Sequence, residues 1–174
     1  MRILFYLILA FLVIPSCTQK KEDIELLYSD SLLSDYGLDV EMNFYFGGDL
    51  EFQLITQEIQ RIQYPVVKNI FPKGIQVFVF DQSFDTIAKI NSDFAVDKKE
   101  EKLVELSKNV ILLNAKNEQL ITEKLLWDRQ EKRIYTDDFV TITTDNEIIM
   151  GYGFSTNQTF STYSLSNITG TIYL

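Results

Sequence analysis

From Ile24 to the C-terminus, apolar runs of roughly eight to twelve residues alternate with short polar clusters, with no linker and no low-complexity stretch. The clusters are Phe46-Gly47-Gly48-Asp49, Phe71-Pro72-Lys73-Gly74, Asp81-Gln82-Ser83, Asp97-Lys98-Lys99-Glu100-Glu101, Asn114-Ala115-Lys116-Asn117, Asp128-Arg129-Gln130-Glu131, Thr144-Asp145-Asn146 and Asn157-Gln158-Thr159. Many short runs at even spacing, broken by turn residues, point to an all-β sandwich or barrel. Phe139-Val-Thr-Ile-Thr-Thr144 and Ile168-Thr-Gly-Thr-Ile-Tyr-Leu174 alternate with period two and are rich in β-branched residues. Ile75-Gln-Val-Phe-Val-Phe80 is apolar on both faces, as a strand covered on both sides would be. Gly151-Tyr152-Gly153 reads as a kink or bulge in a strand.

Two stretches pull the other way. Lys98 to Leu113 and Asn117 to Ile134 contain good helix formers, with Leu103, Leu106 and Val110 near helical spacing. An internal repeat decides between helix and hairpin. Phe94-Ala-Val-Asp97, Leu103 and Val110-Ile-Leu112 line up with Leu125-Leu-Trp-Asp128, Ile134 and Val140-Thr-Ile142, at an offset of 31 residues that shrinks to 30 after one gap. The second copy ends in a segment hostile to helix, so both copies are expected to be strand–turn–strand. A hairpin with one apolar face cannot bury it alone, so neighbours must stack and fold over. Strand parity gives the expected inward set: Phe94, Val96, Val110, Leu112, Leu125, Trp127, Val140, Ile142, Tyr163 and Leu165. Most of these would serve as ordinary packed core, and only a splayed or open end would admit a lipid chain.

The first residues bear on location. Met1-Arg2 precedes an unbroken apolar run from Ile3 to Ile14. A bilayer-crossing helix needs about 20 residues, whereas this run fits the core of a secretory leader. Val13-Ile14-Pro15-Ser16-Cys17 follows the lipoprotein-processing pattern, with Pro15 an imperfect fit, and Cys17 is the chain's single cysteine. It therefore has no partner for an internal disulfide. We expect residues 1–16 to be a leader, Cys17 to be lipidated, residues 18–23 to be a solvated tether, and residues 24–174 to be one domain. Removing Arg2 with the leader takes the formal charge from −9 to −10. Such a chain lacks the basic footprint of a nucleic-acid binder and a polybasic patch for anionic lipid. Its link to a membrane would be the covalent lipid.

The chain has no histidine, which excludes Ser-His-Asp and Cys-His nucleophilic sites and histidine-based zinc sites. Asp137-Asp138 and Glu100-Glu101 are adjacent acids, but neighbours in a strand point to opposite faces, so neither pair makes a dyad. A carboxylate hydrolase is thus a distant third reading. A surface lipoprotein that binds glycan or mediates adhesion through a β-sandwich is the second, and it would need aromatic platforms on a loop face.

Several segments resemble the LptC family of the lipopolysaccharide-export system, in its lipoprotein-anchored form. They are Ile24-Glu-Leu-Leu-Tyr-Ser-Asp-Ser31, Tyr64-Pro65, Phe71-Pro-Lys-Gly-Ile-Gln-Val-Phe78 and Leu120-Ile-Thr-Glu-Lys-Leu-Leu-Trp-Asp128, then Ile134-Tyr-Thr-Asp-Asp-Phe-Val-Thr-Ile142, Gly151-Tyr-Gly-Phe154, and Tyr163 through Asn167 to Gly170-Thr-Ile-Tyr173. The segment from Ser34 to Gln63 departs most, being rich in Phe and Tyr. The resemblance implies a twisted, open-ended antiparallel β-jelly roll of the LptA/LptC (OstA-like) type, with no catalytic residue and no cofactor. It implies an interior that takes the acyl chains of lipopolysaccharide. It also implies a periplasmic place at the inner membrane, with one end meeting the permease subunits of an ABC transporter and the other the bridge protein LptA. At the C-terminus, Ile168, Thr169, Gly170, Thr171, Ile172 and Tyr173 form an uncharged strand. The residues alone leave open whether its edge is free or paired within its own sheet. The resemblance tips the choice toward a free edge that docks the bridge protein.

Overall fold

The computed structural model describes residues 34–63 and 65–174. The leader, Cys17, the tether and the first residues of the expected domain lie outside the described residues. Strands β1 (Ser34–Phe46) and β2 (Asp49–Ile62) form a long hairpin through Gly47 and Gly48. There follow β3 (Lys68–Phe71), β4 (Ile75–Phe80), β5 (Thr86–Ser92), β6 (Phe94–Lys98), β7 (Leu103–Asn114), β8 (Gln119–Asp128), β9 (Arg133–Thr136), β10 (Val140–Thr143), β11 (Glu147–Asn157) and β12 (Tyr163–Tyr173). Each polar cluster marked in the sequence falls at a strand end or between strands, and the two helix-prone stretches are strand–turn–strand.

These strands form one antiparallel sheet of twelve, folded along a seam into two leaves. The long strands cross the seam. In one leaf β2 pairs β3, β3 pairs β6, β6 pairs the start of β7, and the end of β8 pairs β9, which pairs the end of β11. In the other, β2 pairs β4, β4 pairs β5, β5 pairs the end of β7, and the start of β8 pairs β10, which pairs the start of β11. The result is a jelly roll whose inner face is a mostly apolar slot, with Asn69, Asp97 and Thr156 among the polar side chains buried in it.

The seam is built from local backbone irregularities. In β7, Lys108 and Asn109 adopt φ of 67° and 50°, and these two residues oppose the single Glu123 of β8. Non-glycine residues with positive φ are uncommon and demand support. Here the Asp93 N–H, between β5 and β6, donates to the Lys108 carbonyl at 3.0 Å, and the Asn109 amide donates to the Asp93 carboxylate. In β11 the turn of the strand uses Gly153 at φ 69°, which confirms the expected kink at Gly151–Gly153. Gly74, in the β3–β4 turn at φ 76°, passes so close to β5 that a Cβ would stand 2.0 Å from the Ser92 carbonyl.

One extra residue at a corner flips which side chains face inward. This corrects the expected inward set at its first two members. Phe94 and Val96 point outward, and Ala95 and Asp97 are the buried pair. Asp93 at the corner resets the parity of β6, and the displaced Phe94 ring is covered by the Lys108 ammonium, 5.5 Å from its centroid. The repeat is corrected with it. Inward residues match at a constant offset of 30 with no gap: Ile90 with Leu120, Ser92 with Thr122, Ala95 with Leu125, Asp97 with Trp127, Val104 with Ile134, Leu106 with Thr136, Val110 with Val140, and Leu112 with Ile142, all of them buried. Matching by hydrophobicity had set Phe94 against Leu125, one residue out of step.

Candidate functional site

The inner face is ordered in rows set by strand register. In one leaf Leu54, Val77, Ile90, Leu112, Leu120, Ile142 and Ile149 stand side by side across successive strands. In the other, Asn69, Asp97, Val104, Trp127, Ile134, Thr156 and Tyr163 do the same. Of the expected interior residues, Val110, Leu112, Leu125, Trp127, Val140 and Ile142 are buried together, and Tyr163 and Leu165 pack half-buried against them. Thr141 lies between Val140 and Ile142 with its side chain on the other face of β10. Burial is also the first cause that raises the Tyr163 phenol above its ordinary pKa, with the charges of Glu118 and Glu147 adding to it.

The two leaves meet through aromatic contacts. Phe52 of one leaf packs edge-on against Trp127 of the other at 5.2 Å between centroids. Phe160, in the turn before β12, is fully buried and packs on Phe154 and Tyr163. Its carbonyl accepts from the Asn114 amide at 2.9 Å, which ties the β11–β12 turn to the end of β7 across the slot. A second, exposed tie joins Lys132 to Glu51 at 3.9 Å. A cavity lined by Met42, Phe44, Phe52, Trp127 and neighbouring residues holds only about 30 Å³ of free space, about one water's share.

At the Asn69 end of its row this cavity turns polar. The buried Asp97 carboxylate accepts from Arg129 at 2.6 Å and from Lys99 at 2.8 Å, and the Asn69 amide donates to it at 3.3 Å. Two further atoms lining the cavity, Asn69 Oδ1 and Trp127 Nε1, are buried without a hydrogen-bond partner among the described residues. Sequence reasoning treated Asp97 and Arg129 as turn residues and missed this cluster and Phe160. A lone aromatic inside a polar turn was the available signal for Phe160.

Two strand edges frame the slot. Among the described residues β12 pairs with β11 and with no other strand, and β1 pairs only with β2. The expected edge residues Ile168 and Ile172 are more than half exposed, and Tyr173 is 82% exposed. Thr169 is an extra residue in β12, where the register shifts opposite Met150 and Gly151. The Leu174 N–H donates to the Asn146 carbonyl at the foot of β11. Backbone N–H groups alternate sides along an antiparallel strand, so Thr171 and Tyr173 direct theirs away from β11. At the opposite edge Tyr36 and Leu38 are similarly exposed.

Compared with known families, residues 40–174 match a family model described as lipopolysaccharide-assembly, LptC-related. Comparison with curated proteins gives no match.

Proposed function

Because the chain belongs to the LptC family, and so to the components of lipopolysaccharide transport, we propose that its slot carries the acyl chains of lipopolysaccharide from the inner-membrane permease to the periplasmic bridge protein LptA. The observation that carries this reading is the buried row from Leu54 to Ile149, apolar across successive strands from β2 to β11, flanked by edge strands β1 and β12 that pair with no further strand among the described residues. A monomeric protein normally blocks such edges with charge, proline or a covering element. An apolar slot that opens at partner-ready edges fits a conduit better than a closed binding pocket. On this reading β12 docks the bridge protein, the far edge meets the permease, and Cys17 holds the domain at the inner membrane through its lipid. Trp127 lies inside the slot, 3% exposed, which gives no support to an aromatic glycan platform.

A photo-crosslinking residue at Val140 or Ile142, in cells with an active transporter, should capture lipopolysaccharide. The same residue at Thr141, on the outer face, should not. Equal capture at Val140 and Thr141 would overturn the proposed interior path.

A further inference from the structure

The cavity at the Asn69 end of the slot has chemistry that an apolar path does not need. One wall is aromatic, with Phe44, Phe52 and Trp127, and the other is polar, with Asn69, Asp97, Lys99 and Arg129. Asp97 engages both cations, one through each carboxylate oxygen. The group therefore carries a net charge of about +1 at the slot wall, inside a chain whose formal charge is −9. Lys99 and Arg129 are 39% and 23% exposed. An ammonium has three donors and a guanidinium five, so both retain donors beyond those that Asp97 takes. Trp127 Nε1–H offers a further donor, buried and without an acceptor among the described residues. Asn69 Oδ1, in the polar wall, lacks a donor among them. Buried polar groups are nearly always partnered, and two orphans lining one cavity point to a partner that comes from outside the described domain.

We propose that this cavity seats the acidic head group of an acyl amphiphile. Its phosphate or carboxylate oxygens would take the free donors of Lys99, Arg129 and Trp127, a hydroxyl or amide beside the head would satisfy Asn69, and the chain would lie against Phe44 and Phe52. The proposal rests on the reading that the slot carries acyl chains, and adds the point at which a carried lipid is gripped by its charge.

Trp127 is the chain's single tryptophan and lies in the cavity wall, so its emission reports occupancy. The purified full chain is titrated with 2-bromododecanoic acid and with its methyl ester, the bromine beside the head acting as quencher. The acid is expected to quench at about three- to tenfold lower concentration than the ester, the scale of one unit charge at a part-exposed site. High salt should narrow that gap. Lys99→Gln should weaken binding of the acid and Asp97→Asn should strengthen it, with the ester unchanged in both. Lys99 is exposed enough that its replacement tests the charge without unfolding the domain. Equal quenching by acid and ester would overturn the head-group site while leaving the slot a carrier of chains. Quenching by neither would overturn the slot reading as well. The 2-bromododecyl phosphate separates the two sources of an acidic head. Tighter binding than the carboxylate assigns the site to a phosphorylated glycolipid, and weaker or equal binding assigns it to a free fatty acid.

Discussion

On the outer face of β7, Glu105 accepts from Lys124 at 2.7 Å and stands 3.5 Å from Lys98. The hydrogen bond from Lys124 holds the Glu105 carboxyl below its ordinary range, against burial, which pushes it up. The same bond raises the Lys124 ammonium. A carboxyl lowered on folding contributes stability above its unfolded pKa and loses it as pH falls through the lowered folded value. An ammonium raised on folding contributes below its unfolded pKa and loses that as pH rises through the raised value. The pair therefore stabilises between those two limits. Solvent screening at this part-exposed site holds the contribution to about 1 kcal/mol or less. Glu105→Gln should lower the melting temperature by a few degrees at neutral pH, and the two melting curves should converge as the solution is acidified. A gap that persists in strong acid would mean that packing, not charge, is what the substitution removes. The hairpin plan of this region was legible, because Lys98–Lys102 and Arg129–Lys132 bracket runs that alternate in strand fashion. The inward face of β6 was not. Nothing in Phe94-Ala-Val-Asp97 announces that Asp93 is a corner, and the cost of burying Asp97 is offset by Arg129 and Lys99, which arrive from other turns.

At the scale of the element, β12 is where the sequence left two possibilities, and among the described residues it pairs with β11 alone. Its uncharged outer flank was legible as a period-two strand. Its bulge at Thr169 was not, since the extra residue answers the Gly151–Gly153 corner of the neighbouring strand. A Cβ on Gly151 would stand 2.3 Å from the Asn167 carbonyl, so the corner needs glycine while β12 supplies the compensating residue. Since the Thr171 N–H points away from β11, Thr171→Pro removes a donor from the free edge without breaking the β11–β12 ladder. If this edge docks the bridge protein, Thr171→Pro and deletion of Gly170 to Leu174 should each leave a folded protein that still recovers the permease subunits from membranes but no longer recovers the bridge. Unchanged recovery of the bridge would move the docking edge elsewhere. Loss of the permease as well would show that the far end of the molecule depends on β12, contrary to a division of labour between the two edges.

For the whole molecule, the cavity beside Phe52 and Trp127, with about 30 Å³ of free space, is too small for an acyl chain, so loading along the proposed path would have to part the leaves there. The ties that would yield are Asn114 to Phe160 and Lys132 to Glu51. No helix among the described residues is long and apolar enough to cross a membrane. If Cys17 is the anchor, the intact mature protein should carry the mass of its acyl chains, and Cys17→Ser should move the domain toward the soluble fraction when its membrane partners are removed. An unmodified Cys17 in the mature protein would sink that anchor. The constant offset of 30 residues separates length from bore. Each unit adds two strands to each leaf, about 10 Å along the stack, and returns every inward side chain to the same place in cross-section. Growth by duplicating or losing one unit would lengthen or shorten the proposed path while its width, and hence the thickness of any chain lying in it, stayed the same.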